Sequence, residues 1–188
     1  MTFVSRGGLK LEHALKEFQI DAAGRTALDV GASTGGFTDC LLQHGAAKVY
    51  AVDVSYGPLA WKLRQDPRVV VLERTNIRNL TAEKLKAGTP DLAVIDVSFI
   101  SLTKVLPVVY NLLADKAEVV ALIKPQFEAK REQVPRGGVI KDQAVRDETV
   151  ERIKGAALAT GFQVAGLTRS PIEGAEGNVE YLIRLIKG

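Results

Sequence analysis

Two periods of apolar residues alternate along this chain. Between Arg6 and Phe18, Leu9, Leu11, Ala14, Leu15 and Phe18 fall at helical spacing. The run Thr26-Ala27-Leu28-Asp29-Val30 is short, continuous and closed by glycine, which predicts a buried strand. A helix is expected from Phe37 to Gln43, stopped by Gly45, then strands at 48–52 and 68–72 with a helix at 59–64 between them. Thr81 reads as a helix N-cap, without a capping box because Lys84 stands three places on. Next come a strand at 92–95, a helix from about Leu102 to Leu113, and a strand at 118–123. A long helix from Gln143 to Thr160 is stopped by Gly161, and β-like segments at 163–168 and 179–186 end the pattern.

Strands alternating with helices at this spacing predict an α/β protein. The expected architecture is Rossmann-like: a doubly wound, mostly parallel seven-stranded sheet with helices on both faces. The two final strands predict an antiparallel hairpin, with at least one edge strand antiparallel. No internal repeat or linker interrupts 1–188, so a single domain is expected, its first 20 residues forming the N-terminal helix that carries Lys10.

Composition narrows the class. The 188 residues are 46% hydrophobic and 25% charged, with one cysteine, Cys40, which excludes a disulfide framework and a cysteine-based zinc cluster. No metal is expected, and a reducing, cytoplasmic setting fits. The charge-free run from Gly155 to Thr168 is 14 residues long and holds three glycines, too short and broken for a membrane span. Between Lys124 and Arg146, six Lys/Arg oppose Glu128, Glu132 and Asp142, so this segment carries +3, as much as the whole chain. That permits a nucleic-acid partner.

Candidate chemistry gathers at strand ends, where ligands bind in such sheets. The first strand runs into Gly31-Ala32-Ser33-Thr34-Gly35-Gly36-Phe37. This is not the dinucleotide spacing Gly-x-Gly-x-x-Gly, since position 33 is serine; that disfavours an NAD-type oxidoreductase. Glycine at 31, 35 and 36 with Asp29 resembles the loop of methyltransferases that bind S-adenosyl-L-methionine. Asp53 ends the second strand 22 residues after Gly31, where it can accept hydrogen bonds from ribose hydroxyls, with Val54 beside it. The stretch Glu73-Arg74-Thr75-Asn76 is placed to reach the adenine edge, and reads almost equally as an ordinary turn. Further polar groups are Asp96 after the fourth strand, Lys124 after the fifth, Glu180 opening the last and Lys10 on the first helix. Ions at the mouths of apolar strands must be solvated, paired or functional.

The order Lys10, Asp96, Lys124, Glu180 resembles the catalytic tetrad of FtsJ-like ribose 2′-O-methyltransferases. The flanking text, with Ser5-Arg6-Gly7-Gly8-Leu9-Lys10-Leu11, Asp96-Val97-Ser98-Phe99-Ile100-Ser101 and Lys124-Pro125-Gln126-Phe127-Glu128, is similar to the hemolysin A (TlyA) branch of rRNA methyltransferases. The resemblance runs from about residue 4 to residue 186. It implies methyl transfer from S-adenosyl-L-methionine to a ribose 2′-hydroxyl of ribosomal RNA, with rRNA or ribosomal subunits as partner. Lys124 is then the expected base or proton relay, oriented by Asp96 (which also faces the cofactor), with the Lys10 ammonium nearby; Glu180 fixes Lys10 and the ribose. Asp29, 31–37, Asp53, Val54, Thr75 and Asn76 are the expected cofactor residues, and Arg6, Lys130, Arg131 and Arg136 the expected RNA contacts. The family usually carries an S4-type RNA-binding module ahead of Ser5; it is absent from this sequence, so weak RNA affinity is expected. The branch name also raises a membrane-lytic alternative; an RNA-binding protein without catalysis and a methyltransferase with a different acceptor are others. His13 and His44 read as surface or capping residues, Cys40 as core, and Trp61 equally as packing under the cofactor loop or as an RNA-stacking group.

Overall fold

The computed structural model describes residues 2–188. Its elements follow in the order α1 (Gly7–Glu17), β1 (Thr26–Val30), α2 (Gly36–Gln43), β2 (Lys48–Val52), α3 (Trp61–Arg64), β3 (Val69–Leu72), β4 (Leu92–Ile95), α4 (Leu102–Leu112), β5 (Ala117–Ile123), α5 (Pro125–Glu128), α6 (Gln143–Thr160), β6 (Gln163–Arg169) and β7 (Tyr181–Lys187). The strands form a single seven-stranded sheet in the order β3-β2-β1-β4-β5-β7-β6, with β1 to β5 parallel. The chain winds outward from β1 to β3, then returns to β4 and winds the other way. The crevice beyond the carboxyl ends of β1 and β4 is therefore the switch point where a ligand is expected.

Both faces are covered, which explains the unbroken apolar strands. Successive residues point to opposite layers. Leu28, Val30, Ala93 and Ile95 pack towards α4 and α6, whereas Ala27, Leu92 and Val94 pack towards α1 and α2. At the amino ends of the strands, Glu118 of β5 accepts hydrogen bonds from Arg25 at 2.7 Å and from Arg184 of β7 at 2.6 Å. Burial pushes the Glu118 carboxyl up, but the two guanidinium groups outweigh it and hold the group below its ordinary value.

The structure corrects four expectations. The reversed strand is not at the edge. β7 lies between β5 and β6 and is antiparallel to both, so edge strand β6 runs with the parallel set. A helical crossover through α6 delivers β6 in the direction of β5, and the hairpin then turns back into the slot between them. Burial selects this arrangement: Leu182, Ile183 and Leu185 of β7 are inaccessible, whereas no residue of β6 is fully buried. The helix expected at 59–64 is a single turn from Trp61. Thr81 precedes only a 3-10 turn, Ala82–Lys84, and its side chain makes no capping bond. Finally, Glu180 precedes the last strand rather than opening it.

In urea unfolding at fixed pH, Ile183→Ala is expected to cost about 3 kcal/mol, and Val164→Ala, on the half-buried edge strand, less than about 1 kcal/mol. Equal losses would contradict the assignment of β7 as the buried strand and β6 as the marginal one.

Candidate active site

The site begins at the glycines. Gly31 follows β1 with φ +84°, and a Cβ there would lie 2.2 Å from the carbonyl oxygen of Asp96. Glycine thus lets the β1 turn press against the end of β4. Gly36, at the start of α2, is packed as closely against the N-terminal segment; a Cβ would meet Ser5 Oγ at 2.2 Å and Gly8 N at 2.8 Å. The cofactor loop therefore touches β4 on one side and the entry to α1 on the other.

Two adjoining cavities open around this loop and share Gly31, Ser33 and Asp96. One, of about 400 Å³, runs past Asp53, Val54, Thr75, Asn76 and Ile77 to the turn at 97–100. The other, of about 560 Å³, lies between residues 5–7, Lys10, Phe37 and the turn at 172–176. Ala32, Thr34 and Gly36 also line the second cavity. Of the thirteen expected cofactor residues, Asp29 and Gly35 line neither.

Asp53 accepts backbone N–H bonds from Ser33 at 2.7 Å and Ser55 at 2.9 Å, which aim its carboxylate along the loop. Asn76 caps a 3-10 turn by accepting from Arg78 N at 3.0 Å, so its carbonyl oxygen is partly committed. Asp29 is only 1% exposed and accepts from Thr38 Oγ1 at 2.6 Å; its other oxygen has no hydrogen-bond partner among the described residues. Burial raises its pKa to about 7 against the Thr38 hydrogen bond, with Asp96 and Asp53 adding to the rise. The group lies beneath the loop as a support.

The four expected catalytic residues come together as two ion pairs. Lys124, after β5, stands 2.5 Å from Asp96 and donates to Ser98 Oγ at 3.1 Å. Lys10 of α1 stands 2.7 Å from Glu180, which is 2% exposed. Each ammonium thus faces its own carboxylate. Sequence reading missed the groups around them. Gln126 donates to Glu180 at 2.9 Å. Glu128 accepts from Ser101 Oγ at 2.7 Å and Leu102 N at 2.9 Å, tying the turn after β4 to the turn after β5. Phe99, 89% exposed at φ +65°, lies 4.8 Å from the Phe127 ring. These residues lie within the family-like segments, but local spacing could not reveal their partners.

Arg6 lines the groove; Lys130, Arg131 and Arg136 are exposed beyond α5. His13 bonds Thr168 at 3.1 Å, and His44 caps α2 through the Cys40 carbonyl at 2.8 Å. Cys40 is fully buried, which pushes its thiol pKa up. Trp61 is 73% exposed, so it is not packing under the loop; Leu59 and Leu63 occupy that place beside Gly35.

A doubly wound sheet, a glycine loop that is not of the dinucleotide type and a tetrad of paired charges at the switch point define a methyltransferase. The chain belongs to the FtsJ-like methyltransferase family, whose model matches residues 3–187, and within it to the hemolysin A (TlyA) branch. It is 52% identical over 98% of its length to YqxC of Bacillus subtilis, a candidate rRNA methyltransferase. It is also 52% identical, over 97% of its length, to the 16S/23S rRNA (cytidine-2′-O)-methyltransferase TlyA of Mycobacterium tuberculosis. The chain spans 66% and 68% of these two relatives. A crystal structure of a candidate hemolysin from Lactococcus lactis matches all of the chain and 90% of that protein, with TM-score 0.98 and 54% identity.

Two outcomes test the site's construction. Gly31→Ala is expected to lower stability by about 3 kcal/mol, through positive φ and collision with Asp96, and to abolish the thermal shift given by S-adenosyl-L-methionine. Asp29→Asn tests the buried carboxyl. Because its folded-state pKa, about 7, lies above the ordinary 3.8, ionisation opposes folding, and stability falls as pH rises from about 4 to 7. The variant lacks that slope. Relative to wild type it should gain roughly 3 kcal/mol between pH 5 and pH 8 in denaturant titrations, at about 1.4 kcal/mol per pH unit up to the folded pKa. A pH-independent difference would refute the assignment.

Proposed function

We propose that this protein transfers the methyl group of S-adenosyl-L-methionine to a ribose 2′-hydroxyl of ribosomal RNA, presented on a ribosomal subunit in the cytoplasm. The observation that carries the reading is the pairing of Lys124 with Asp96, where Asp96 also belongs to both lobes of the groove. The activity named for the Mycobacterium tuberculosis relative supports the same substrate class.

The groove fits this methyl donor. Each Asp53 oxygen accepts one backbone N–H and keeps a lone pair for a ribose hydroxyl. Val54, Ile77, Val97 and Ile100 give the same lobe apolar walls for a base, and residues 31–34 and Phe37 border the lobe left for the amino-acid portion. When bound, the donor supplies a methyl group already activated by its sulfonium, so the protein's work is alignment and proton handling.

Lys124 handles the proton. Asp96 and Ser98 take two of the three positions around its Nζ, and the third is left for the substrate hydroxyl. In the neutral amine that position is the lone pair. Lys124 would accept the hydroxyl proton as the ribose oxygen takes the methyl group that the bound donor would supply from its sulfonium, giving a 2′-O-methyl ribose. Lys10, held by Glu180, supplies positive charge beside the developing oxyanion. Arg6, Lys130, Arg131 and Arg136 contact phosphates, which positions RNA without reading its sequence. The hemolysin name of some relatives gains no support from the helices: among the described residues, none is long and apolar enough to cross a membrane.

Incubation with tritiated donor and ribosomal subunits should place label at a ribose of rRNA. Lys124→Ala should lower turnover at least about 100-fold, the usual scale of a general base, while the donor's thermal shift stays near that of wild type. Wild-type-like turnover in Lys124→Ala would sink the assigned role. Absence of any rRNA labelling by the wild-type chain, alone and joined to an S4-type module, would sink the substrate.

A further inference from the structure

The single turn α5 sends polar side chains to three different parts of the site. Lys124, just before it, reaches Asp96 and Ser98 at the end of β4. Glu128, at its end, holds Ser101 and Leu102 at the start of α4. Gln126, between them, donates to Glu180 Oε2, while Lys10 binds Oε1. A carboxylate that is 2% exposed needs partners on both oxygens, because a buried charge with an unmet acceptor is strongly disfavoured. The third side of Glu180 is closed by backbone. A Cβ on Gly174 would lie 2.0 Å from Oε2, so the carboxylate has no room to turn towards the 172–176 turn.

The Gln126 amide also leaves a mark of its orientation. Its Oε1 is buried without a hydrogen-bond partner among the described residues. Leaving such an acceptor unmet opposes folding. A residue placed for packing alone would not incur that cost, whereas one placed to present its N–H to a carboxylate must. Since Gln126 lies two residues from Lys124, its bond to Glu180 fixes one ion pair at a set offset from the other.

We infer that Gln126 is a positioning residue for methyl transfer: it acts through Glu180 to hold Lys10 in register with Lys124. This rests on the proposed ribose methylation. It predicts a loss in the chemical step without a loss in donor binding, and a loss that depends on the Glu180 carboxylate.

The test is a double-mutant cycle with tritiated donor and ribosomal subunits, under single-turnover and steady-state conditions. Gln126→Leu, close in size and lacking the donor, should lower kcat about 10- to 100-fold, the scale of a charge-assisted hydrogen bond. The KM for S-adenosyl-L-methionine should stay within about twofold of wild type, because binding and chemistry are separable readouts. In a Glu180→Gln background the same substitution should cost less than about twofold more, since its target carboxylate is gone. Gln126→Asn, which keeps the amide but loses the reach, should behave as Gln126→Leu and decides the matter should the leucine variant not fold. A wild-type rate in either Gln126 variant, or losses that simply multiply in the double variant, would overturn the inference while leaving the substrate reading intact. A wild-type chain that labels no rRNA would overturn both.

Discussion

Everything at this site depends on how closely two backbone segments meet at the switch point. The turn after β1 presses on the carbonyl of Asp96, with no space for a side chain at Gly31. That contact sets where β4 ends, and Asp96 then sets where Lys124 points. Because strand register in a buried parallel sheet resists slippage, the contact has little freedom to relax. The Asp96 side chain is thus located by the backbone before any side-chain partner acts on it.

The electrostatic setting follows from the same geometry. Asp29 nearly ends β1, Asp53 follows β2 and Asp96 follows β4, so three carboxylates gather around one loop. Burial lifts the Asp29 pKa most, and the other two carboxylates add to the rise. Only Asp53 and Asp96 face the groove, because Asp29 lies beneath the loop. Each lysine stands beside its own carboxylate, Lys10 by Glu180 and Lys124 by Asp96, while Lys130, Arg131 and Arg136 are exposed beyond α5.

Much of this was legible in the sequence because it is written in local pattern. Apolar runs ending in Gly31, Asp53, Asp96 and Lys124 named the parallel strands and the groove beyond them. The four paired charges were legible only through family resemblance, since nothing in local spacing brings Lys10 to Glu180. What escaped was the choice among equivalent local patterns. An alternating final segment says that a hairpin forms but not which of its strands enters the sheet; the burial of Leu182, Ile183 and Leu185 decides it. Asp29 at a strand end reads alike whether it faces the groove or, as here, the Thr38 hydroxyl beneath it. Trp61 reads equally as packing under the loop or as an exposed stacking group, and a one-turn helix that buries Leu63 leaves the indole outside. Gln126 and Glu128 stand in a family-like segment, but local spacing assigns them no role because their partners lie 54 and 26 positions away.

The insertion of β7 between β5 and β6 has a consequence for folding kinetics. Lys10 and Glu180 are 170 positions apart, and their pair forms only after the reversed strand has entered a sheet whose other members are separated by shorter loops. Contacts of such high order are entropically expensive and belong to the late part of folding. The glycine loop and the Asp96–Lys124 pair need only strands β1 to β5. A chain arrested before β7 docks therefore holds the Asp96–Lys124 pair but lacks both the Lys10–Glu180 pair and the 172–176 wall of the cavity beside the glycine loop, so the site is completed only when the last strand enters the sheet.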